Sequence, residues 1–271
     1  MNNWKGERQD VQEYNSVTAE HLHRYAIACE IVKGKRVLDI ASGEGYGSNI
    51  MAAFAASVVG VDISEEAVNY AKTKYGGKAN LSYLQGSLQK IPLPDGCIDV
   101  VVSLESIEHD TEHEIIMKEI KRVLAPNGIL IMSTPDKYQY TDLPKYNNPF
   151  HVKELYQDEF KQLINRYFKN SRFFSQRFYA GSFIAPLDAE SGKVEMFTGD
   201  YNAVNSYEPA KEPLFIVAIA SDNVVDYSAS SFFNLTTRIQ ETSQREIDKV
   251  LHSASYKLGN FFVRKLSFLK K

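Results

Sequence analysis

Two acids and a histidine lie close together in the segment L-E-S-I-E-H. Glu105, Glu108 and His109 occupy positions i, i+3 and i+4, so one helical turn would place their side chains on one face. Carboxylates and imidazoles in such a group can take a proton from an alcohol or hold a divalent cation. The segment follows the strand-like run V-V-V-S-L, so we expect the group at the end of a strand.

A second chemical signal is the segment R-V-L-D-I-A-S-G-E-G-Y-G, a strand-like run followed by glycines at alternate positions. Open α/β sheets bind ligands at such strand-to-helix turns. Asp62 ends the next strand-like run, 19 residues after Gly43, where an acid can accept hydrogen bonds from both hydroxyls of a ribose. Asp39, inside the first run, suits a cationic, amino-acid-bearing ligand better than a pyrophosphate. These features predict an adenosine-containing cofactor; the alternative is that the glycines serve only the steric needs of a tight turn.

The elements that must position these residues alternate between strand-like and helix-like patterns. The predicted strands are 36–40, 57–63, 81–86, 97–104, 128–135 and 214–220. The predicted helices are 18–34, 47–56, 65–75, 112–124 and 151–168. Ser64 is the predicted N-cap of the third helix, and a turn at 126–128 ends the fourth. Such alternation builds a mainly parallel sheet with helices on both faces, so we predict an α/β fold.

Composition excludes several classes of protein. The 271 residues include 44% hydrophobic residues, enough for a sizeable core. A net charge of −3 argues against a protein that coats nucleic acid, so no nucleic-acid partner is expected. Cys29 and Cys97 have neither disulfide-framework nor zinc-site spacing. Because the polar start lacks a signal-like apolar run and no long apolar segment follows, we expect a cytoplasmic protein without a membrane span.

The ordered motifs resemble those of class I S-adenosylmethionine-dependent methyltransferases. The resemblance rests on V-L-D-I-A-S-G-E-G-Y-G, V-V-G-V-D-I-S, L-Q-G-S-L-Q-K-I-P-L-P-D-G-C-I-D-V-V-V-S-L-E-S-I-E-H and V-L-A-P-N-G-I-L-I-M-S-T-P, within residues 20–175. It implies a Rossmann-like, seven-stranded, mostly parallel sheet with a final antiparallel strand. It also implies S-adenosylmethionine as the cofactor.

The same resemblance implies roles for residues around the expected cofactor. Gly43 and Gly45 would approach its methionine part, Asp62 would hold the ribose, and residues 86–88 would lie near the adenine, although the family often has aspartate at position 87. Arg24 either reaches the cofactor carboxylate or is a solvated surface residue. The full set of predicted cofactor contacts is Arg24, Asp39, Ala41, Gly43, Gly45, Asp62, Ile63, Gly86, Ser87, Leu88 and Leu104.

The E-x-x-E-H set with a distant histidine resembles small-RNA 2′-O-methyltransferases and some ubiquinone-pathway O-methyltransferases. That resemblance implies a divalent cation, magnesium or manganese, held by Glu105, Glu108, His109 and His151. Two alternatives remain open: Glu108 and His109 close the site without a metal, or one histidine acts as a simple general base. The predicted catalytic residues are therefore His109, Glu108 and His151.

Several segments resemble methyltransferases of bacterial surface-polysaccharide (O-antigen or capsule) biosynthesis: G-E-R-Q, N-P-F-H-V-K-E-L and the C-terminal L-H-S-A-S-Y-K-L-G-N-F-F-V-R-K-L-S-F-L-K-K. The expected acceptor is therefore a sugar hydroxyl of a nucleotide sugar or surface glycan, with a wall of aromatic side chains that includes Tyr140, Tyr146 and Tyr201. One alternative acceptor is a small phenol or quinone precursor. Another reading is a non-catalytic, cofactor-binding subunit that organises glycosyltransferases.

The predicted domains are a methyltransferase domain at 1–228, with 177–213 as a lid or substrate wall, and an amphipathic basic helical tail at 229–271. Between Arg245 and Lys271 the tail has seven Lys or Arg residues against two acids. Three roles fit such a tail: a dimer-forming coil, attachment to a membrane surface, or a helix that covers the domain. The second role would make the protein peripheral at the inner membrane surface.

Overall fold

The computed structural model describes residues 16–179, 196–199, 204–207, 212–227, 230–234, 244–245 and 247–258. The chain divides into two compact units, residues 1–230 and 231–271. Most of the predicted lid at 177–213, including Tyr201, and much of the predicted tail lie outside the described residues. In the second unit, residues 247–252 and 254–258 are helical. No helix among the described residues is long and apolar enough to cross a membrane.

The first unit is built on a seven-stranded sheet with the order β3-β2-β1-β4-β5-β9-β6. Strands β1 to β5 are parallel, and β9 lies antiparallel between β5 and β6. The prediction of a mostly parallel sheet with a final antiparallel strand is confirmed. The strands are β1 Arg36–Ile40, β2 Ser57–Asp62, β3 Leu81–Gln85, β4 Ile98–Leu104, β5 Leu124–Pro135, β6 Asn170–Gln176 and β9 Phe215–Ser221, with a separate hairpin of β7 Met196–Gly199 and β8 Val204–Tyr207.

The described part of the first unit has five α-helices: α1 Ser16–Ile31, which precedes β1, and α2 Tyr46–Met51, α3 Glu65–Tyr75, α4 His113–Val123 and α5 Gln157–Tyr167, which lie between strands. The predicted bounds of α3 are confirmed, and Ser64 Oγ accepts a hydrogen bond from the Ala67 N–H as its N-cap. Two shorter helical turns belong to the site: a 3₁₀ turn at Ile107–His109 and a π-helix at Tyr138–Asp142.

The core lies in two layers, one on each face of the sheet. On one face, α1 to α3 cover β-strand residues such as Val37 and Val100. On the other, α4 and α5 cover Leu38 and Val101. Because successive strand residues point to opposite faces, the continuous apolar runs of β1 and β4 fill both layers.

Several predicted elements differ from the observed ones; the second helix, for example, ends at Met51 and not at 56. The fifth helix begins at Gln157 and not at 151, because the Gln157 N–H donates to Asp136 Oδ1 and the Tyr156 N–H donates to Glu159 Oε2. Residues 151–156 therefore form a loop. The turn at 126–128 lies inside β5, where Asn127 has φ +63° and the register with β4 shifts. Strand β6 had not been predicted.

Candidate functional site

The glycine loop between β1 and α2 contains two kinds of glycine. Gly43 has φ +54°, and a Cβ atom built on it would meet nothing within 4 Å, so it borders open space. Gly45 has φ +81°, and its Cβ would lie 2.5 Å from the ring of Tyr83. A Cβ on Gly47 would lie 1.9 Å from the ring of Tyr25. Only Gly43 therefore leaves room for a ligand, while Gly45 and Gly47 make room for protein side chains.

Asp39 is buried beneath this loop. Its carboxylate accepts hydrogen bonds from Ser48 Oγ at 2.6 Å and from the Tyr25 hydroxyl at 3.4 Å. Burial raises the pKa of Asp39 to about 7, although these two donors oppose the shift. The sequence predicts that this carboxylate binds the positive end of a ligand. In the structure each of its oxygens already accepts a hydrogen bond from a protein hydroxyl. Asp39 holds α1 and α2 against β1.

Asp62, at the end of β2, supports the loop from the other side. Oδ2 accepts from the Gly43 N–H at 2.7 Å, and Oδ1 accepts from the Ser64 N–H at 2.9 Å. Both oxygens thus bind backbone N–H groups at a strand end where open α/β folds bind ligands. The acid predicted for a ribose therefore also fixes the conformation of the residue that borders the open space.

The predicted adenine contacts lie in a depression of about 440 Å³ next to Asp62. Ile63, Gly86 and Ser87 line it, and Ile63 is 72% exposed, as a platform for a flat ring would be. Leu88 instead packs against the core, as does Leu104 at the end of β4. Ala41 is exposed with φ +61°, a conformation that glycine adopts more readily.

Arg24 on α1 is the largest fully buried side chain, with 1% of its surface exposed. Nη1 donates to Gln176 Oε1 at 2.8 Å and lies 3.5 Å from Glu105 Oε1, and the guanidinium lies 4.8 Å from the centre of the Phe215 ring. Nε and Nη2 have no hydrogen-bond partner among the described residues. The alternative of a solvated surface arginine is therefore wrong. Two buried donors without partners indicate a site for an anionic ligand group.

The E-x-x-E-H group does not lie on one face of a helix. Glu105 has φ +48°, so the chain turns sharply after β4, and a 3₁₀ turn carries Glu108 and His109. The carboxylates of the two acids accordingly reach different partners. Glu105 Oε1 accepts from Ser133 Oγ at 2.5 Å and pairs with Arg24.

Glu108 is 1% exposed and accepts a hydrogen bond from Thr134 Oγ1 at 3.1 Å. Burial raises its pKa to about 8, and the nearby carboxylate of Glu105 adds to this effect. The backbone carbonyl of Glu108 accepts from the N–H groups of Val152 and Lys153. These two bonds tie the loop that carries His151 to the turn that carries Glu108.

His109 and His151 meet at this junction, with ring centres 5.1 Å apart. His109 Nδ1 lies 2.9 Å from the carbonyl oxygen of Phe150. A carbonyl can only accept, so Nδ1 carries the proton and Nε2 of the neutral ring has a lone pair. His151 Nδ1 lies 2.5 Å from Glu154 Oε1, which sets its tautomer in the same way.

One carboxylate oxygen and two imidazole nitrogens, from Glu108, His109 and His151, lie within 4.8 Å of one another and could hold a metal ion. Glu105, the fourth predicted ligand, lies outside this cluster, with its carboxylate on Arg24 and Ser133. The donor set fits a divalent cation that accepts nitrogen ligands, which favours manganese over magnesium.

Sequence reasoning missed several residues that complete the site. Tyr25 and Ser48 bind Asp39, Gln176 binds Arg24, and Glu154 orients His151. Of these, only Glu154 had a local signal, because H-x-x-E places the acid one turn after the histidine. The other three depend on contacts between elements that are distant in the sequence.

Comparison with known proteins shows what residues 38–132 are similar to. Residues 38–132 match the family model described as a methyltransferase domain. A probable S-adenosylmethionine-dependent methyltransferase of Mycobacterium tuberculosis is 37% identical over 131 residues, which are 47% of this chain and 46% of that protein. The mitochondrial ubiquinone biosynthesis O-methyltransferase of Schizosaccharomyces pombe is 31% identical over 136 residues, 48% of this chain and 49% of that protein. A fatty-acid O-methyltransferase of Mycolicibacterium smegmatis is 30% identical over 141 residues, 48% of each chain.

Solved structures show the same fold. The YcgJ protein of Bacillus subtilis has a TM-score of 0.53 and 17% identity, covering 74% of this chain and 98% of that one. A methyltransferase of Bacillus halodurans has a TM-score of 0.54 and 18% identity, covering 73% and 98%. Residues 38–132 thus match a methyltransferase domain, and the described fold is the one that these solved structures share. The chain spans about half the length of the curated relatives it matches.

Proposed function

We propose that this protein is an S-adenosylmethionine-dependent O-methyltransferase whose acceptor hydroxyl lies beside Glu108, His109 and His151. The observation that carries the proposal is the position of this cluster at the end of β4, next to the strand end that carries the glycine loop of the methyltransferase domain. Open α/β folds bind their ligands at such adjoining strand ends.

The described residues fit the cofactor. Gly43 borders open space, Asp62 binds the Gly43 N–H beside it, and two donors of buried Arg24 have no partner among the described residues. Ser42 adds a buried hydroxyl without a partner in the described part of the chain. When bound, S-adenosylmethionine would supply a methyl group on a sulfonium, whose departure as a neutral thioether needs little assistance. The chain's own residues are left to orient the acceptor and to take its proton.

His109 is the best-placed proton acceptor. Its Nδ1–H is held by the Phe150 carbonyl, so the lone pair of Nε2 remains for the acceptor hydroxyl or for a cation. A divalent cation held by Glu108, His109 and His151 would lower the pKa of that hydroxyl. Its electrostatic effect would also favour the ionised form of Glu108, whose pKa is otherwise raised to about 8.

For the acceptor we propose a sugar hydroxyl, of a nucleotide sugar or a surface glycan. The support is the resemblance of N-P-F-H-V-K-E-L to methyltransferases of surface polysaccharides, together with the aromatic lining of the cluster. Tyr140 stacks on His151 with ring centres 5.3 Å apart and meets Tyr146 edge to face at 5.7 Å. Tyr138, Tyr146 and Phe150 are exposed near them, as aromatic residues that bind sugar rings often are.

A second candidate acceptor is a phenol or quinone precursor. It is favoured by the similarity to the ubiquinone biosynthesis O-methyltransferase, and the fatty-acid O-methyltransferase is likewise named for an apolar substrate. The same exposed aromatic residues would contact an aromatic ring as readily as a sugar.

Transfer of label from S-adenosylmethionine to a panel of sugar nucleotides, glycans, phenols and fatty acids, with and without chelator, tests the proposal. We expect methylation of one acceptor class, a strong decrease for His109→Ala, and no change for His252→Ala, an exposed histidine of the second unit. If activity survives complete chelation in protein without bound metal, the reaction does not need a divalent cation. Tight cofactor binding without turnover on any acceptor would favour a non-catalytic subunit.

A further inference from the structure

Both ring nitrogens of His151 have protein partners. Nδ1 lies 2.5 Å from Glu154 Oε1, and Nε2 lies 3.0 Å from Asn148 Nδ2. A neutral imidazole has one N–H group and one nitrogen lone pair, so one of these contacts uses the proton and the other uses the lone pair. A cation that binds His151 must therefore replace one of the two partners.

The side-chain amide of Asn148 shows which contact uses the lone pair. Asn148 Oδ1 accepts a hydrogen bond from the Phe150 N–H at 3.0 Å, and the Asn148 backbone carbonyl accepts from the His151 N–H at 3.2 Å. Because a backbone N–H can only donate, the amide oxygen faces Phe150 and the N–H₂ group faces His151. Asn148 Nδ2 therefore donates to the lone pair of His151 Nε2, and His151 Nδ1 donates to Glu154.

Of these two partners, Asn148 is the easier one to replace. The contact with Glu154 is short and its acceptor is a carboxylate, whereas the contact with Asn148 joins two neutral groups. A cation also needs a lone pair, which the neutral ring has on Nε2. Asn148 is 4% exposed, so its displaced N–H₂ group would need another acceptor inside the protein.

The hydroxyl of Tyr140 is placed to be that acceptor. It lies 3.4 Å from Asn148 Nδ2, and the Tyr140 ring stacks on His151 with ring centres 5.3 Å apart. A distance of 3.4 Å is long for a hydrogen bond, so a small movement of the amide towards Tyr140 would turn a weak contact into a full hydrogen bond. The residue that stacks on His151 thus also offers a second position for the amide that occupies His151.

We infer that Asn148 is a positioning residue of the cluster of Glu108, His109 and His151. Without a cation, its amide occupies His151 Nε2, so that His109 supplies the imidazole lone pair for the acceptor hydroxyl. On cation binding, the amide of Asn148 leaves His151 and donates to the Tyr140 hydroxyl. The inference rests on the proposed function, because that function places the cation and the acceptor at this cluster.

Calorimetric titration with Mn²⁺ alone tests this exchange of partners. Asn148→Asp keeps an oxygen for the Phe150 N–H but has no N–H₂ group to donate to His151. Since the cation then displaces no hydrogen bond and gains a nearby carboxylate, we expect Mn²⁺ to bind at least about tenfold more tightly than to the wild type. The matched control is Asn147→Asp, which adds the same charge at the exposed neighbouring residue and should change the affinity by less than about threefold.

A second variant tests the role of Tyr140 in the opposite direction. Tyr140→Phe keeps the ring that stacks on His151 but removes the acceptor for the displaced amide, so Mn²⁺ should bind about threefold to tenfold more weakly. The same substitution in the Asn148→Asp protein should cause no such loss, because the N–H₂ group is absent. The control Tyr146→Phe, at an exposed tyrosine that contacts Tyr140, should bind Mn²⁺ as the wild type does.

Two results with these variants would overturn the inference. One is equal Mn²⁺ affinity of Asn148→Asp and Asn147→Asp, since the effect would then be one of charge and not of the amide. The other is wild-type affinity of Tyr140→Phe, since the displaced amide would then have no need of the hydroxyl.

A measurement on the wild-type protein decides the matter even where a variant does not fold. NMR of the histidine and asparagine side chains, at about pH 8 where imidazoles are neutral, should show the His151 proton on Nδ1. Addition of Zn²⁺, a diamagnetic cation that accepts imidazole ligands, should shift the resonances of both His151 Nε2 and the Asn148 amide. Binding that leaves the amide resonances unshifted would overturn the inference, as would a protein that binds neither Zn²⁺ nor Mn²⁺.

Failure of the proposed function would look different. The protein would then bind the cation with the shift of the Asn148 amide and the opposite effects of Asn148→Asp and Tyr140→Phe, yet transfer no methyl group to any acceptor of the panel.

Discussion

The two sides of the cleft, the proposed cofactor side and the proposed acceptor side, are built in different ways. The cofactor side consists of backbone groups and glycines at the ends of β1 and β2, where Asp62 holds the Gly43 N–H directly. The acceptor side consists of side chains from segments about 40 residues apart, joined where the Val152 and Lys153 N–H groups bind the Glu108 carbonyl. The first side is prearranged by local backbone geometry, and the second depends on a chain of side-chain contacts.

The difference predicts how each side responds to change. Substitutions on the cofactor side should act on ligand affinity or on stability, because the loop is part of the packed fold. Substitutions on the acceptor side should act on turnover, because we propose its groups for proton transfer and not for cofactor binding.

The largest expected effect is on turnover, in Glu108→Gln. We expect kcat to fall by about 10²- to 10⁴-fold, the range for loss of an acid–base or metal-bound group, with cofactor affinity within about twofold of the wild type. Because burial raises the pKa of Glu108 to about 8, glutamine resembles the protonated side chain, and the fold should be kept. Steady-state kinetics and calorimetry measure the two quantities. An equal loss in both would show that the two sides of the cleft are not separable.

The pH dependence of stability tests the buried acid on the cofactor side. The folded pKa of Asp39 is raised to about 7, above its unfolded value, so the unfolded chain loses this proton more readily. The contribution of Asp39 to the free energy of unfolding should therefore be largest at acidic pH and decrease as pH rises from about 4 to about 7, by on the order of 2–4 kcal/mol. Denaturant unfolding of the wild type and Asp39→Asn at several pH values isolates the contribution of Asp39. Parallel curves for the two proteins would contradict the assignment.

Loss of the Asp62 carboxylate should weaken cofactor binding about tenfold to a hundredfold. In Asp62→Asn an amide N–H₂ replaces one of the two oxygens that bind Gly43 and Ser64. One backbone N–H of the loop then loses its acceptor, and the ribose of the cofactor loses a carboxylate to which it can donate. Calorimetric titration measures the change. Asp99→Asn, which removes an exposed ion pair at the opposite end of the sheet, is the control and should bind normally.

The smallest effect is expected for the glycine of the loop that packs against Tyr25, and it concerns stability. Gly47→Ala should lower the free energy of unfolding by about 1–3 kcal/mol, because its Cβ would overlap the ring of Tyr25. Gly77→Ala, whose Cβ would meet nothing within 4 Å, should be neutral or slightly stabilising. Thermal or urea unfolding compares them, and an unaffected Gly47→Ala would mean that Tyr25 moves aside easily.

The sequence was informative where function depends on residues close together in the chain. The cap at Ser64, the bounds of α3 and the acid that ends β2 follow from local patterns, since each depends on backbone geometry within a few residues. The glycine pattern was only partly interpretable. Spacing indicated that side chains had to be absent, but only packing shows that Tyr83 and Tyr25 occupy the room beside Gly45 and Gly47.

Tertiary contacts decided what the sequence left open. The E-x-x-E-H pattern suggested one face of a helix, whereas the left-handed conformation of Glu105 sends the two acids to different partners. The alternatives for Arg24 were separated by its burial and by contacts with distant residues, such as Gln176, 152 residues away. No local pattern encodes a contact of that separation.

The antiparallel strand β9 also affects when the site can form during synthesis. Phe215, its first residue, lies against the Arg24 guanidinium, and Gln176 at the end of β6 pairs with β9 as well as with Arg24. A nascent chain that has emerged only as far as β6 therefore contains the segment 38–132, which matches a methyltransferase domain, but lacks the strand between β5 and β6. Arg24 would then be unsupported. Binding of an anionic ligand group by Arg24 should begin only once residues up to about 221 have left the ribosome, late in the folding of a chain that folds from its N-terminus.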